Sequence, residues 1–250
     1  MNIDKKLNNM KPKDTPLLWL GYTILGMFLL LSMPAKADNE ITIDQTGGDN
    51  FNLTINQVGS NNIIKMYDPY SYVNGADMTL TLIQQNETTT NNVIELWHLD
   101  GIDNVVRWAQ GTAWDSATST TYGDDGTEGG GHYARLDIHG DNNHLQGHQT
   151  NQGSTSGHTF TSIIYSDNND IWVRQQGDGA KTLNLRTWVD GNDISVLQKG
   201  DWAQHSASIS LSGSEPTILD LRQQGTTTQS YTISQNCVTV GGCFVSVTQE

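Results

Sequence analysis

The chain has 250 residues, 27 acidic and 13 basic, for a formal net charge of −14 at neutral pH. That balance disfavours nucleic acid and anionic membrane surfaces as partners, because both require clustered Lys and Arg. Gly, Asn, Gln, Ser and Thr are abundant while Phe (4) and Pro (5) are scarce, a composition expected to stay disordered unless a repeating geometry supplies order.

The N-terminus carries Lys5, Lys6, Lys11 and Lys13, then a nearly uncharged apolar run from Leu17 to Met33, then Ala35-Lys36-Ala37. Basic flank, apolar centre and small-x-small triplet predict a secretory signal peptide over residues 1–37, with 38–250 as the mature, exported chain. A retained transmembrane anchor is the competing reading of the same run; the triplet and the polar residues that follow it favour removal. No later segment approaches a membrane span, so no membrane insertion of the mature chain is expected. Beyond residue 37 there remain 25 acidic and 8 basic residues, a net charge near −17, which favours solubility.

From residue 41 a repeat sets in. Gln45-Thr46-Gly47 leads to Asn50, and Gln57-Val58-Gly59 leads to Asn62. Further on, Gln85, Gln110, Gln176, Gln198, Gln224 and Gln249 each close a short run of alternating apolar residues, and Gln152 joins them with weaker flanks. From Gln85 onward the steps are 25, 42, 24, 22, 26 and 25 residues. The long step contains a Gly/Ser/Thr-rich stretch, read as an insertion near 112–132, and a Tyr-rich insertion is expected near 66–77. Half a period from each Gln stands an Asn or Asp pair. Asn92, Asn104, Asn143, Asn169 and Asn192 therefore join Asn50 and Asn62 as predicted corner residues, because Asn tolerates the tight backbone of a turn.

The runs between corners are four to seven residues long with period-two alternation, such as Ile171/Val173, Ile194/Val196 and Ile209/Leu211, the signature of half-buried strands. Strand, turn, strand, turn at this period predicts an all-β fold, a β-solenoid of stacked coils of about 22–26 residues, about seven in number. An antiparallel sandwich or barrel would also use short strands, but it would not require the same amide at the same phase. In a solenoid each Gln lies over its counterpart and its amide both donates and accepts along the stack, while Gly47 or Gly59 turns the chain where a side chain would clash.

These residues resemble the curlin repeat, the strand-turn-strand unit of the secreted subunits of curli, the bacterial functional amyloid fibres. The terminal VSVTQE is similar to the last strand of a minor, nucleator-type curlin. The resemblance implies a secreted, extracellular, cell-surface protein of an amyloid-like fibre (fimbrium) that serves cell adhesion and biofilm. Its expected partners are other curlin-like subunits, stacked end to end, and an outer-membrane export machinery. The bulky insertions suit an accessory, nucleating or capping member better than the main polymer subunit. A rival reading is a monomeric solenoid adhesin that binds a glycan or host protein through aromatic loops, with Tyr67, Tyr70, Tyr72, Trp108, Trp114 and Tyr122 as contacts.

Cys237 and Cys243 are the sole cysteines. In an exported chain they are expected to form a disulfide that clamps the last coil, with Gly241-Gly242 allowing the return. Three further motifs carry weaker chemistry. His139, His144 and His148 have the density of a metal site, but the spacing does not show that they converge. Asp/Gly/Asn stretches such as DGIDN resemble half of a calcium-binding nonapeptide, but recur a full coil apart and are accounted for as corners. Asp100, Asp103, Asp137 and Asp141 could supply an acid pair, yet nothing singles out two of them. No cofactor is expected, and an enzyme is not the expected reading.

Overall fold

The computed structural model describes residues 39–42, 52–66, 73, 76–86, 88–97, 99, 102–111, 113–115, 120–122, 129–151 and 156–250. Within them lie β1 (Glu40–Ile41), β2 (Gln57–Gly59), β3 (Asn62–Met66), β4 (Gln84–Asn86), β5 (Asn92–Leu96), β6 (Ala113–Asp115), β7 (Thr120–Tyr122), β8 (Tyr133–Leu136), β9 (Gln149–Thr150), β10 (Asp170–Gln176), β11 (Lys181–Thr182), β12 (Asp193–Lys199), β13 (His205–Gly213), β14 (Thr217–Gln224), β15 (Gln229–Cys237) and β16 (Cys243–Gln249).

Among the described residues every strand pairing but one is parallel. One face runs β1-β3-β5-β8 and continues through single bridges at Thr159 into β11-β13-β15. The other runs β2-β4, then bridges Val105 to His144 to Asp170, with β9-β10-β12-β14-β16 in register. Strands adjacent in a sheet are thus a full coil apart in sequence, and each coil gives one strand to each face. This is a parallel β-solenoid of about seven coils. The exception is the antiparallel pair β6–β7, which lies inside the predicted insertion after Gln110.

Sequence parity decides which side chains face inward. Ile171, Val173, Ile194, Val196, Leu219 and Leu221 from one face meet Leu183, Leu185, Ile209 and Leu211 from the other, all buried. Because each coil stacks its residues on the same column in the next, the apolar file continues from Ile64 to Leu221 as one core. Its last members, Tyr231, Ile233, Val245 and Val247, are half-buried, because no coil covers them.

Close stacking also constrains the corners. Gly59 has φ +81°, and a Cβ there would sit 2.0 Å from the carbonyl oxygen of Asn86 in the next coil. Both the left-handed backbone and the neighbour exclude a side chain.

Candidate functional site

Inside the solenoid, three polar columns run parallel to the apolar file. The first is a glutamine ladder. Gln110 Nε2 donates to Gln149 Oε1 (3.1 Å), Gln149 to Gln175, Gln175 to Gln198, Gln198 to Gln223 and Gln223 to Gln249, the last four at 2.8 Å. Each Nε2 also donates across the coil, to the carbonyl oxygens of Val93, Tyr133, Thr159, Thr182, Ser206 and Ser230 in turn. The ladder therefore ties coil to coil and face to face at once, and satisfies amides that would be costly to bury alone.

The ladder corrects part of the expected register. Gln57, Gln110, Gln198 and Gln249 stand in the column position, but Gln85, Gln176 and Gln224 do not. Their places are taken by Gln84, Gln175 and Gln223, one residue earlier. The reason is parity: the inward Gln lies two residues after the last inward apolar residue, as in Ile171-x-Val173-x-Gln175, and the residue after it is out of phase with the column. Gln149 occupies the place assigned to Gln152, which lies outside the described residues, as do Gln45, Gly47 and Asn50.

The second column holds the predicted corner residues Asn104, Asn143, Asn169 and Asn192, all buried. The Oδ1 of each accepts the main-chain N–H one coil on: Asn104 from Asn143, Asn143 from Asn169, Asn169 from Asn192 and Asn192 from Thr217, at 2.8–3.0 Å. The left-handed residue of each corner is the one before, as at Asp103 (φ 55°), Asn142 (55°), Asn168 (57°) and Gly191 (74°). The Asn pair thus divides its labour, the first residue turning the chain and the second bonding the stack.

The third column lies at the opposite corner; it takes in the predicted corner residues Asn62 and Asn92, which therefore do not share a column with Asn104, Asn143, Asn169 and Asn192, and continues through residues that the repeat does not mark. It contains Asn39, Asn62, Asn92, His132, His158, Lys181, His205 and Gln229 in register. Asn39 Oδ1 accepts from Asn62 N, Asn92 Oδ1 from His132 N, His132 Nδ1 from His158 N, and His158 Nδ1 from Lys181 N. A histidine can replace asparagine here because its ring nitrogen, when neutral, is also an acceptor. Burial is the main reason the histidines stay neutral: it lowers His132 to about 3 and holds His158 well below the ordinary histidine range, with His205 lowered as well. Lys181 is fully buried, and burial pushes it down to about 8, against the pull of Asp201 and Asp178. Its ammonium donates to the carbonyls of Gly179 (2.5 Å), Gly200 (2.6 Å) and Ala203 (3.0 Å).

All three columns arrive at β15 and β16, the last strands of their sheets. There Gln229 Oε1 is buried and has no hydrogen-bond partner. Cys243 stands in the asparagine column, opposite Thr217, and is bonded to Cys237 with the Cα atoms 5.8 Å apart. The disulfide clamps the corner between the two terminal strands. Around it Val238, Val240 and Phe244 are exposed.

The remaining predicted contacts scatter. Tyr67, Tyr70, Tyr72 and Asp100 lie outside the described residues, and Trp114 and Tyr122 fall in β6 and β7, whose side chains are not described. Trp108 is not a loop residue: it is fully buried in the core against Phe160, ring centroids 4.6 Å apart. The three histidines engage different partners. His139 stacks on Tyr165, His144 faces the Asp170 carboxylate at 3.2 Å, and His148 meets the edge of Trp172; among the described residues no three His, Cys, Asp or Glu side chains converge on a metal-sized site. Asp137 is held by Arg135, and Asp141 accepts from Ile102 N.

The fold and its columns define a parallel β-solenoid stapled at one end. Compared with protein-family models, curated proteins and solved structures, the chain matches none.

Proposed function

We propose that the chain is a secreted, curlin-like subunit or accessory of an extracellular amyloid-like fibre, nucleating or capping growth and so supporting adhesion and biofilm matrix. One observation carries this reading: among the described residues nothing pairs with the outer edge of the last coil. There β15, of nine residues, and β16, of seven, are the outermost strands of their sheets. An open parallel edge is a template for another strand. Here the template extends into the interior, where Gln229 offers an unused acceptor and Tyr231, Ile233, Val245 and Val247 offer half-covered apolar surface. An incoming coil of the same pattern would bury them. The curlin resemblance of residues 41–62 supports the same reading. Bringing such a chain to the cell surface requires an export partner.

The test is fibre growth by the purified 38–250 chain, alone and seeded into a major curlin. Cross-β fibres, or a shortened lag of the major subunit, are the expected results. Val247→Lys, an inward charge on the open edge, should abolish either effect. A chain that stays monomeric alone and leaves the lag unchanged would overturn the reading.

A further inference from the structure

The outward positions of the C-terminal coils differ from those nearer the N-terminus. On β5 and β8 the outer face is charged and aromatic. Lys65 pairs with Glu95 at 2.7 Å, Tyr133 Oη donates to Glu95 at 2.6 Å, and the Arg135 guanidinium lies 3.5 Å from the Trp97 ring centroid. On β13 the outward residues are Ser206, Ser208, Ser210 and Ser212. On β15 the same columns hold Ser230, Thr232, Ser234 and Asn236. Strand geometry sets these side chains, seven hydroxyls and one amide, about 4.8 Å apart between coils and about 6.7 Å apart along each strand. They form a flat, uncharged, hydroxyl-bearing field.

An aromatic wall bounds it. His139, Tyr165 and Trp188 stack on successive coils, with centroids 4.5 and 5.5 Å apart and the last pair tilted by only 12°. Tyr165 covers one face of Trp188. The other looks toward the following coil, where the register of Thr187 with Leu211 places Ser212. Serine is too small to cover an indole, and Trp188 remains 53% exposed. Beside it a shallow recess is lined by Asn184, Arg186, Ser208 and Ser210. An aromatic face open to one side, with hydroxyl, amide and guanidinium groups lining the recess next along the strands, matches a sugar ring. The ring's C–H face stacks on the indole while its equatorial hydroxyls meet polar partners.

We propose that this face binds a polysaccharide of β-linked pyranose rings, one ring stacked on Trp188 and its neighbours lying over the serine field of β13 and β15. The site uses the outward side chains of the last coils and not their open backbone edge or interior, so it is distinct from the surface that stacks in a fibre and would recur once per subunit along it. Binding of the full mature chain to hydroxyethyl cellulose, with α-linked dextran as the comparison, tests it by affinity electrophoresis or tryptophan quenching. Wild type should be retained by the β-glucan and not by dextran. Trp188→Ala should bind about tenfold more weakly, the size of one lost ring contact. Ser212→Lys, which fills the space in front of the indole without removing it, should do the same, whereas Trp202→Ala, at an 82% exposed ring elsewhere, should bind as wild type. No retention of the wild type, or undiminished binding by both Trp188→Ala and Ser212→Lys, would overturn the proposal.

Discussion

Gln198 donates its Nε2 to Gln223 Oε1 at 2.8 Å across 25 positions of sequence, and receives the same bond from Gln175 on its other side. Each rung from Gln149 to Gln223 is therefore the acceptor for the coil before and the donor for the coil after. Gln198→Leu fills the volume but leaves Gln223 Oε1 buried without a donor. It should cost about 2–3 kcal/mol in urea unfolding, the penalty of orphaned buried amides. Gln224→Ala, at an outward neighbour of the column, should change stability by no more than about 0.5 kcal/mol.

The histidine column makes stability depend on pH with a fixed sign. His132 titrates near 3 when folded and His158 well below its ordinary value, while the unfolded chain restores both to about 6.5. Protons therefore bind the unfolded state more readily, so this stability is fully present above pH 6.5 and drains away as pH falls toward 3. His158→Asn keeps a side-chain acceptor, as Asn39 and Asn92 do in earlier coils. Its denaturation midpoint should fall less steeply than that of wild type below pH 6, with the difference between the two constant above pH 7.

Lys181 tests the column differently. Its ammonium is enclosed by three carbonyl oxygens, so Lys181→Met retains the stem but leaves those carbonyls without their donor. A loss of about 2–4 kcal/mol is expected, as for breaking a buried charged hydrogen-bond set from one side. Thermal unfolding of the variant against wild type at pH 7 measures it.

The disulfide closes a short loop, for which the chain-entropy relation gives about 2 kcal/mol. Because it sits at the open end, its removal should act locally. Cys237→Ser with Cys243→Ser should speed amide hydrogen exchange in β15 and β16, while β10 and β12 keep their protection. Uniform acceleration throughout the solenoid would show instead that the last coil governs global unfolding.

Much of this was legible in the sequence, because a solenoid writes its geometry as recurrence. Alternation gave the strands and their inward residues, Gln recurrence gave the coil, and Cys237 with Cys243 gave the staple. The error at Gln85, Gln176 and Gln224 arose in Gln-Gln pairs, where period alone cannot choose a member; carrying the apolar parity two residues further selects Gln84, Gln175 and Gln223. The third column was hidden because its members differ chemically. Asn92, His132, Lys181 and Gln229 share a column but no residue type, and only the strand pairing, Val93 with Tyr133, Tyr133 and Thr182 with Thr159, and β11 with β13 and β15, brings them into line. Trp108 was misassigned for a related reason: it occupies the second inward position of Val106-x-Trp108-x-Gln110, where other coils use Leu or Val.

The parallel register has a mechanical consequence. Backbone and glutamine bonds both run along the solenoid axis, between one coil and the next, so traction applied at the C-terminus meets them one layer at a time instead of together. Once Cys237–Cys243 is reduced, peeling should release the 23 to 26 residues that separate successive rungs in discrete events of roughly 80–90 Å each. Stretched as a single molecule, the protein would behave as a ratcheted tape measure, yielding length in equal increments while the layers beneath stay intact.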